Sequence, residues 1–156
     1  MKIEIWSIGK TKEGYLQSGE TLYLKRIKNY HTAELVLFKE PKTGKSNASQ
    51  VKKLESEVFL KSLQPDDYVI LLDEHGKQFD SVGFARQIQK WFNQSPRRLI
   101  FIIGGAWGFD SSLKMRSNFE MSLSKMTFTH QMVRLIFLEQ LYRAFTILNN
   151  EPYHNT

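Results

Sequence analysis

Residues 99–108 read Leu99-Ile100-Phe101-Ile102-Ile103-Gly104-Gly105-Ala106-Trp107-Gly108. A strand with one wet face alternates apolar and polar side chains, and Leu99–Ile103 does not. An unbroken apolar run that stops at glycine suits a strand buried on both faces of a parallel sheet, with a loop at its carboxyl end. Tyr68–Leu72 repeats the pattern and runs into Asp73-Glu74-His75-Gly76. Met1–Ile8 and Leu35–Phe38 are two further strand candidates.

Helical periodicity fills the gaps. Val51, Leu54 and Val58 recur at helical spacing, with Lys52, Lys53 and Lys61 left to face water. Ala85, Ile88 and Phe92 do the same, with Ser81 as the expected N-cap. Gly14–Tyr30 is a further helix, weakened by Gly19. Strands alternating with helices predict an α/β fold, a mostly parallel sheet sandwiched by helices. In such folds ligands sit beyond the carboxyl ends of the strands. Here those ends are the segments 72–76 and 104–108.

The chain has 156 residues, which suits a single domain over 1–156. Apolar residues make up 41% and aromatics 13%, enough for a core and too many for a disordered chain. There is no cysteine, which excludes disulfides and thiolate-held metals. No apolar run reaches the roughly 18 residues of a membrane span, and the start lacks a secretory cleavage pattern. A soluble, cytoplasmic protein is expected. Its net charge of +6 suits a polyanion such as RNA or DNA, or serves solubility alone.

The last helix, His130 to Leu148, sets Gln131, Glu139, Arg143 and Thr146 on a polar arc. Val133, Phe137, Leu138, Leu141, Ala144, Phe145 and Leu148 lie opposite. Leu135, Ile136, Tyr142 and Ile147 add apolar surface toward the polar side, more than one sheet face would cover. A homodimer contact is the simplest second cover. Arg134 falls within the apolar arc, where its head either finds a partner or anionic ligand, or snorkels to water.

Several chemistries lack their motifs. Gly44-Lys45-Ser46 has Lys39 where a P-loop needs its first glycine, and the 104–108 loop fails the dinucleotide fingerprint. His31, His75, His130 and His154 lack zinc spacing, and no serine sits in a nucleophile elbow. No metal is expected.

Leu123-Ser124-Lys125-Met126-Thr127-Phe128, Thr129-His130-Gln131-Met132-Val133-Arg134, Glu139-Gln140-Leu141-Tyr142-Arg143-Ala144 and Pro152-Tyr153-His154 form a combined pattern. With Leu72-Asp73, Gly76-Lys77, Ile103-Gly104-Gly105 and Gly108, they resemble the ribosomal RNA large-subunit methyltransferase H family, of the SPOUT class. The likeness spans essentially the whole chain. It implies a C-terminal trefoil knot, S-adenosylmethionine as methyl donor and a homodimer as the working unit. The implied reaction is methylation of N3 of a pseudouridine in large-subunit (23S) ribosomal RNA on the assembled ribosome.

By the same resemblance, Leu72, Gly104, Leu123, Ser124, Lys125, Met126, Thr127 and Phe128 line the cofactor site. The chemistry fits: apolar walls for adenine, and glycine backbone that can close on a ligand. His154 is the expected acceptor of the N3 proton, because imidazole exchanges protons near neutrality. Tyr153 would stack on or hydrogen-bond the base. Arg134 and Arg143 would hold RNA phosphate or the cofactor carboxylate. Two places depart from the family: Asn155 replaces arginine or lysine after the histidine, and Ala106-Trp107 stand where the family often has proline or serine and a polar residue. Alternatives are a SPOUT enzyme acting on another RNA, and a non-catalytic basic RNA-binding domain.

Overall fold

A computed structural model describes residues 1–155; Thr156, the last residue of the expected domain, lies outside the described residues. In chain order the elements are β1 (Lys2–Ile8), α1 (Gly14–Ile27), β2 (Ala33–Phe38), α2 (Ala48–Leu60) and β3 (Asp67–Gln78). They continue with α3 (Ser81–Asn93), β4 (Arg98–Ile103), α4 (Ser111–Arg116), β5 (Phe119–Ser122) and α5 (His130–Leu148). The strands form one sheet in the order β2-β1-β4-β3-β5, and every pair is parallel.

The apolar run of β4 behaves as its composition requires. Leu99, Phe101 and Ile103 face one apolar cluster, built with Ile27 of α1, Trp91 of α3 and Phe137 of α5. Ile100 and Ile102 face a second, built with Phe59 of α2 and Leu113 of α4. Helices α1, α3 and α5 thus cover one face and α2 and α4 the other, which is the expected sandwich. At the amino ends of the strands, Arg98 reaches Asp67 at 2.6 and 2.8 Å. The same guanidinium lies 3.4 Å from buried Glu4.

Four sequence expectations need correction. The N-cap of α3 is Asp80, whose carboxylate accepts from Gly83 N–H at 2.6 Å. Ser81 instead donates its hydroxyl to Gln140 of α5 at 3.2 Å. Helix α1 ends at Ile27, short of Tyr30. Lys52 is half-buried at the edge of the cleft described below, rather than on a wet face. Strand β3 continues past Leu72 to Gln78, because it pairs with β5 twice.

That second pairing shapes the molecule. Leu72 pairs with Met121, the register then shifts, and Lys77 pairs with Met121 again, so residues between them bulge from the ladder. Bulges re-aim side chains near functional sites. Gly76 permits this one, since a Cβ there would stand 2.6 Å from the Met121 backbone. Strand β5 and helix α4, with four and six residues, are too short for a periodic signal.

Candidate functional site

The ends of β3, β4 and β5 frame a cleft of about 390 Å³. This is within the usual range for small-molecule sites. The β3 bulge contributes Asp73, Glu74 and His75; the loop after β4 contributes residues 104–109; the end of β5 and the segment after it contribute 122–124 and 126–128. His130 and Val133 from the first turn of α5 close one side, and Lys52 and Lys114 reach in from α2 and α4.

Seven of the eight residues expected to hold the cofactor lie on this wall: Leu72, Gly104, Leu123, Ser124, Met126, Thr127 and Phe128. Lys125 does not; its side chain is exposed beside the cleft. The 123–128 segment is shaped by short polar contacts. Ser122 donates to the Ser124 carbonyl at 2.9 Å, and Ser124 accepts from Met126 N–H at 2.9 Å. Thr127 reaches across to the Glu74 carboxylate at 3.3 Å.

The wall suits an adenosyl sulfonium ligand. Leu72, Ile103, Leu123, Met126 and Phe128 supply apolar surface for a purine. Asp73 and Glu74 present carboxylates to a cationic sulfonium and ammonium, and Lys52 and Lys114 can answer an anionic group, carboxylate or phosphate. Gly104 keeps the floor tight: a Cβ there would meet the Phe109 ring at 3.1 Å and the Gly108 carbonyl at 3.4 Å. His130, at the rim, is held below the ordinary histidine range, first by burial and then by the charge of Arg134.

A second constellation sits at the far end of α5. Arg143 donates to Glu139 at 2.6 Å and lies 3.0 Å from His154 Nδ1. Its guanidinium stacks over Tyr153, 4.8 Å from the ring centre. The Tyr153 hydroxyl donates to the same Glu139 oxygen at 3.0 Å and stands 3.4 Å from the Tyr23 hydroxyl. Burial, followed by these two hydrogen bonds, raises Tyr153 well above the ordinary phenol range. Tyr30 donates to Glu151 at 2.5 Å and anchors the tail; that hydrogen bond, followed by burial, pushes its phenol up to about 12.

His154, Tyr153 and Arg143 are therefore brought together, but not at the cleft of their own chain. From His130 to Arg143 the helix advances about 20 Å at 1.5 Å per residue. Glu139 is the member absent from the sequence-predicted site, although its spacing of four residues from Arg143 is a readable helical ion pair.

Arg134 belongs to neither group. It is wholly buried, donating to the Ile8 carbonyl at 2.7 Å and to Thr11 at 3.1 Å. Thr11 in turn donates to buried Glu20 at 2.6 Å. Burial holds Arg134 below its ordinary value, against the pull of Glu20, and lifts the Glu20 carboxyl. The snorkelling option is overturned: the head points inward, ties α5 to the end of β1, and offers no exposed surface to RNA.

Among the described residues, no helix is long and apolar enough to cross a membrane. The family described as "Predicted SPOUT methyltransferase" matches residues 1–154. The ribosomal RNA large subunit methyltransferase H of Parabacteroides distasonis is 46% identical, over 99% of this chain and 99% of its own. That of Christiangramia forsetii is 47% identical, again over 99% of each chain. Two solved structures are alike in fold. A probable methylase family protein from Haemophilus influenzae Rd KW20 has a TM-score of 0.54 at 15% identity, over 99% of this chain and 70% of that one. A Legionella pneumophila methyltransferase in complex with S-adenosylmethionine has a TM-score of 0.50 at 13% identity, over 92% of this chain and 66% of that one.

Proposed function

The chain belongs to the SPOUT methyltransferase family, and from that premise we propose that it methylates N3 of a pseudouridine in large-subunit ribosomal RNA. S-adenosylmethionine is the methyl donor, and the assembled ribosome in the cytoplasm is the place of action. The observation that carries this reading is the cleft at the ends of β3, β4 and β5, with seven of the eight expected cofactor residues along its wall. The names of relatives near 46% identity supply the RNA class.

The cofactor supplies an electrophilic methyl group on a sulfonium. Leu72, Leu123, Met126 and Phe128 would give the bound cofactor its apolar walls, and the Gly104 backbone would let the main chain close on it. Displacement at a methyl carbon depends on in-line placement, so positioning should dominate the rate gain. The N3 proton must leave, and His154 receives it. A guanidinium only donates, so Arg143 occupies the Nδ1 lone pair in the free chain. An RNA phosphate is a stronger partner for Arg143 than a neutral imidazole and releases that nitrogen. Tyr153 stacks on the target base.

The separation of cleft and tail along α5, about 20 Å of helix rise from His130 to Arg143, is the reason for a homodimer in this reading. An antiparallel pair of copies brings the tail of one chain to the cleft of the other. Exposed Tyr15 and Leu22 on α1 and the half-buried outer side of α5 offer apolar surface for that contact. The trefoil threading of the C-terminal segment, within one domain, is part of the same proposal.

The test is mass spectrometry of ribosomal RNA from a strain lacking this chain. N3-methylpseudouridine should be absent, and should return with the wild-type chain but not with His154→Ala. The purified His154→Ala protein should still bind S-adenosylmethionine in a calorimetric titration. An unchanged methylpseudouridine level in the deletion strain would refute the assignment. Equal loss of binding and methylation in His154→Ala would remove the histidine from its proposed role.

A further inference from the structure

We propose that Trp107 is a stacking platform for an unpaired base of the substrate RNA, adjacent to the nucleotide that enters the cleft. The proposal rests on the RNA methyltransferase reading above and adds a residue that contacts substrate.

Gly105 and Gly108 pair as an antiparallel bridge, with Gly108 N–H donating to the Gly105 carbonyl at 3.2 Å. Ala106 and Trp107 are the two central residues of that tight turn, so the indole is carried on a braced hairpin at the lip of the cleft. It is 59% exposed, whereas Trp6 and Trp91 are each 1% exposed. Trp107 joins neither apolar cluster. Turn tips ordinarily carry glycine, asparagine or aspartate, and nothing in the turn requires the largest aromatic side chain.

Its neighbours define the ligand. Lys52 and Lys114 line the same cleft. Lys114 lies 3.8 Å from Asp73, a loose ion pair that leaves it able to turn to a phosphate. An exposed aromatic face flanked by cations is the arrangement that binds single-stranded RNA, stacking a base while lysines follow the backbone. Trp107 lines the mouth of the same cleft, with its outer face left for a base. Small ligands bury most of their surface, and the recessed Leu72, Ile103 and Leu123 offer that burial, while more than half of Trp107 faces water.

The experiment compares wild type, Trp107→Phe and Trp107→Ala on ribosomes purified from a strain lacking the chain, at saturating S-adenosylmethionine. Affinity for S-adenosylhomocysteine is measured alongside by calorimetry. Trp107→Ala should raise KM for ribosomes on the order of tenfold, the scale of one lost base–aromatic stack. Trp107→Phe should recover most of that loss, and S-adenosylhomocysteine affinity should stay within about twofold of wild type in both, because the recessed Leu72, Ile103 and Leu123 rather than the exposed indole enclose the cofactor. Because the other two tryptophans are buried, oligouridylate added with S-adenosylhomocysteine should quench wild-type emission through Trp107 and leave Trp107→Phe unaffected. An unchanged KM, absent quenching, or a fall in S-adenosylhomocysteine affinity that parallels the KM change would each overturn the platform. A wild-type chain that methylates no ribosomal RNA overturns the functional reading, and this proposal with it.

Discussion

Arg134 and Arg143 lie on the same helix, and their fates differ by where the neighbouring backbone passes. Arg134 meets the carbonyl of Ile8 and the Thr11–Glu20 pair and becomes a buried tie. Arg143 meets Glu139, Tyr153 and His154 and stays partly exposed. Helical periodicity placed Arg134 on the apolar arc but was silent on which partner it would find. Removing one member of a buried charged pair strands the other. Arg134→Met should therefore cost about 3 kcal/mol in denaturant unfolding, and Glu20→Leu in the same chain should recover part of it. A double variant no more stable than the single one would show that Glu20 is not its electrostatic partner.

At the scale of elements, the β3 bulge joins strand geometry to the site. Gly76 lies against the Met121 backbone, so β5 closes on β3 while Asp73, Glu74 and His75 turn into the cleft. Gly76→Ala should destabilise by roughly 1–3 kcal/mol, as overpacking does, and should weaken cofactor affinity because it moves the bulge. Unaltered affinity in a destabilised variant would separate the bulge from the site.

The opposite end of the sheet has its own test. Burial pushes the Asp67 carboxyl up, but hydrogen bonds from Arg98 and Gln64 outweigh burial and hold it below the ordinary range. A depressed folded pKa stabilises above the unfolded value near about 3.9 and loses that contribution as pH falls through the folded value. Asp67→Asn should thus lower stability by about 2 kcal/mol at pH 7. The gap to wild type should narrow once acidification passes below about pH 4. A gap independent of pH would attribute the loss to packing.

For the whole molecule, the decisive quantity is the distance between cleft and tail. If one active site draws on two chains, a cleft-blocked Gly104→Leu chain and a tail-defective His154→Ala chain should complement each other. Each is expected to be nearly inactive alone. Mixed by co-expression, random pairing leaves one intact site in each heterodimer and recovers roughly a quarter of wild-type methylation. No recovery, with heterodimers demonstrated by tag pull-down, would confine cleft and tail to the same chain.

The amino-acid order alone determined the layered α/β class, because unbroken apolar runs such as Leu99–Ile103 can be satisfied only between two helical layers. It also determined the resemblance that nominated the 123–128 segment and the Tyr153-His154 tail. Those are local properties: side-chain period, glycine position and contiguous motif. Tertiary structure decided everything that depends on non-local approach. It settled the short β5 strand that re-pairs with β3, the burial of Arg134, and the entry of Lys52 and Lys114 into the cleft. It also separated the tail from its own cleft, since a rigid helix fixes that distance and no periodicity records which backbone lies across from it.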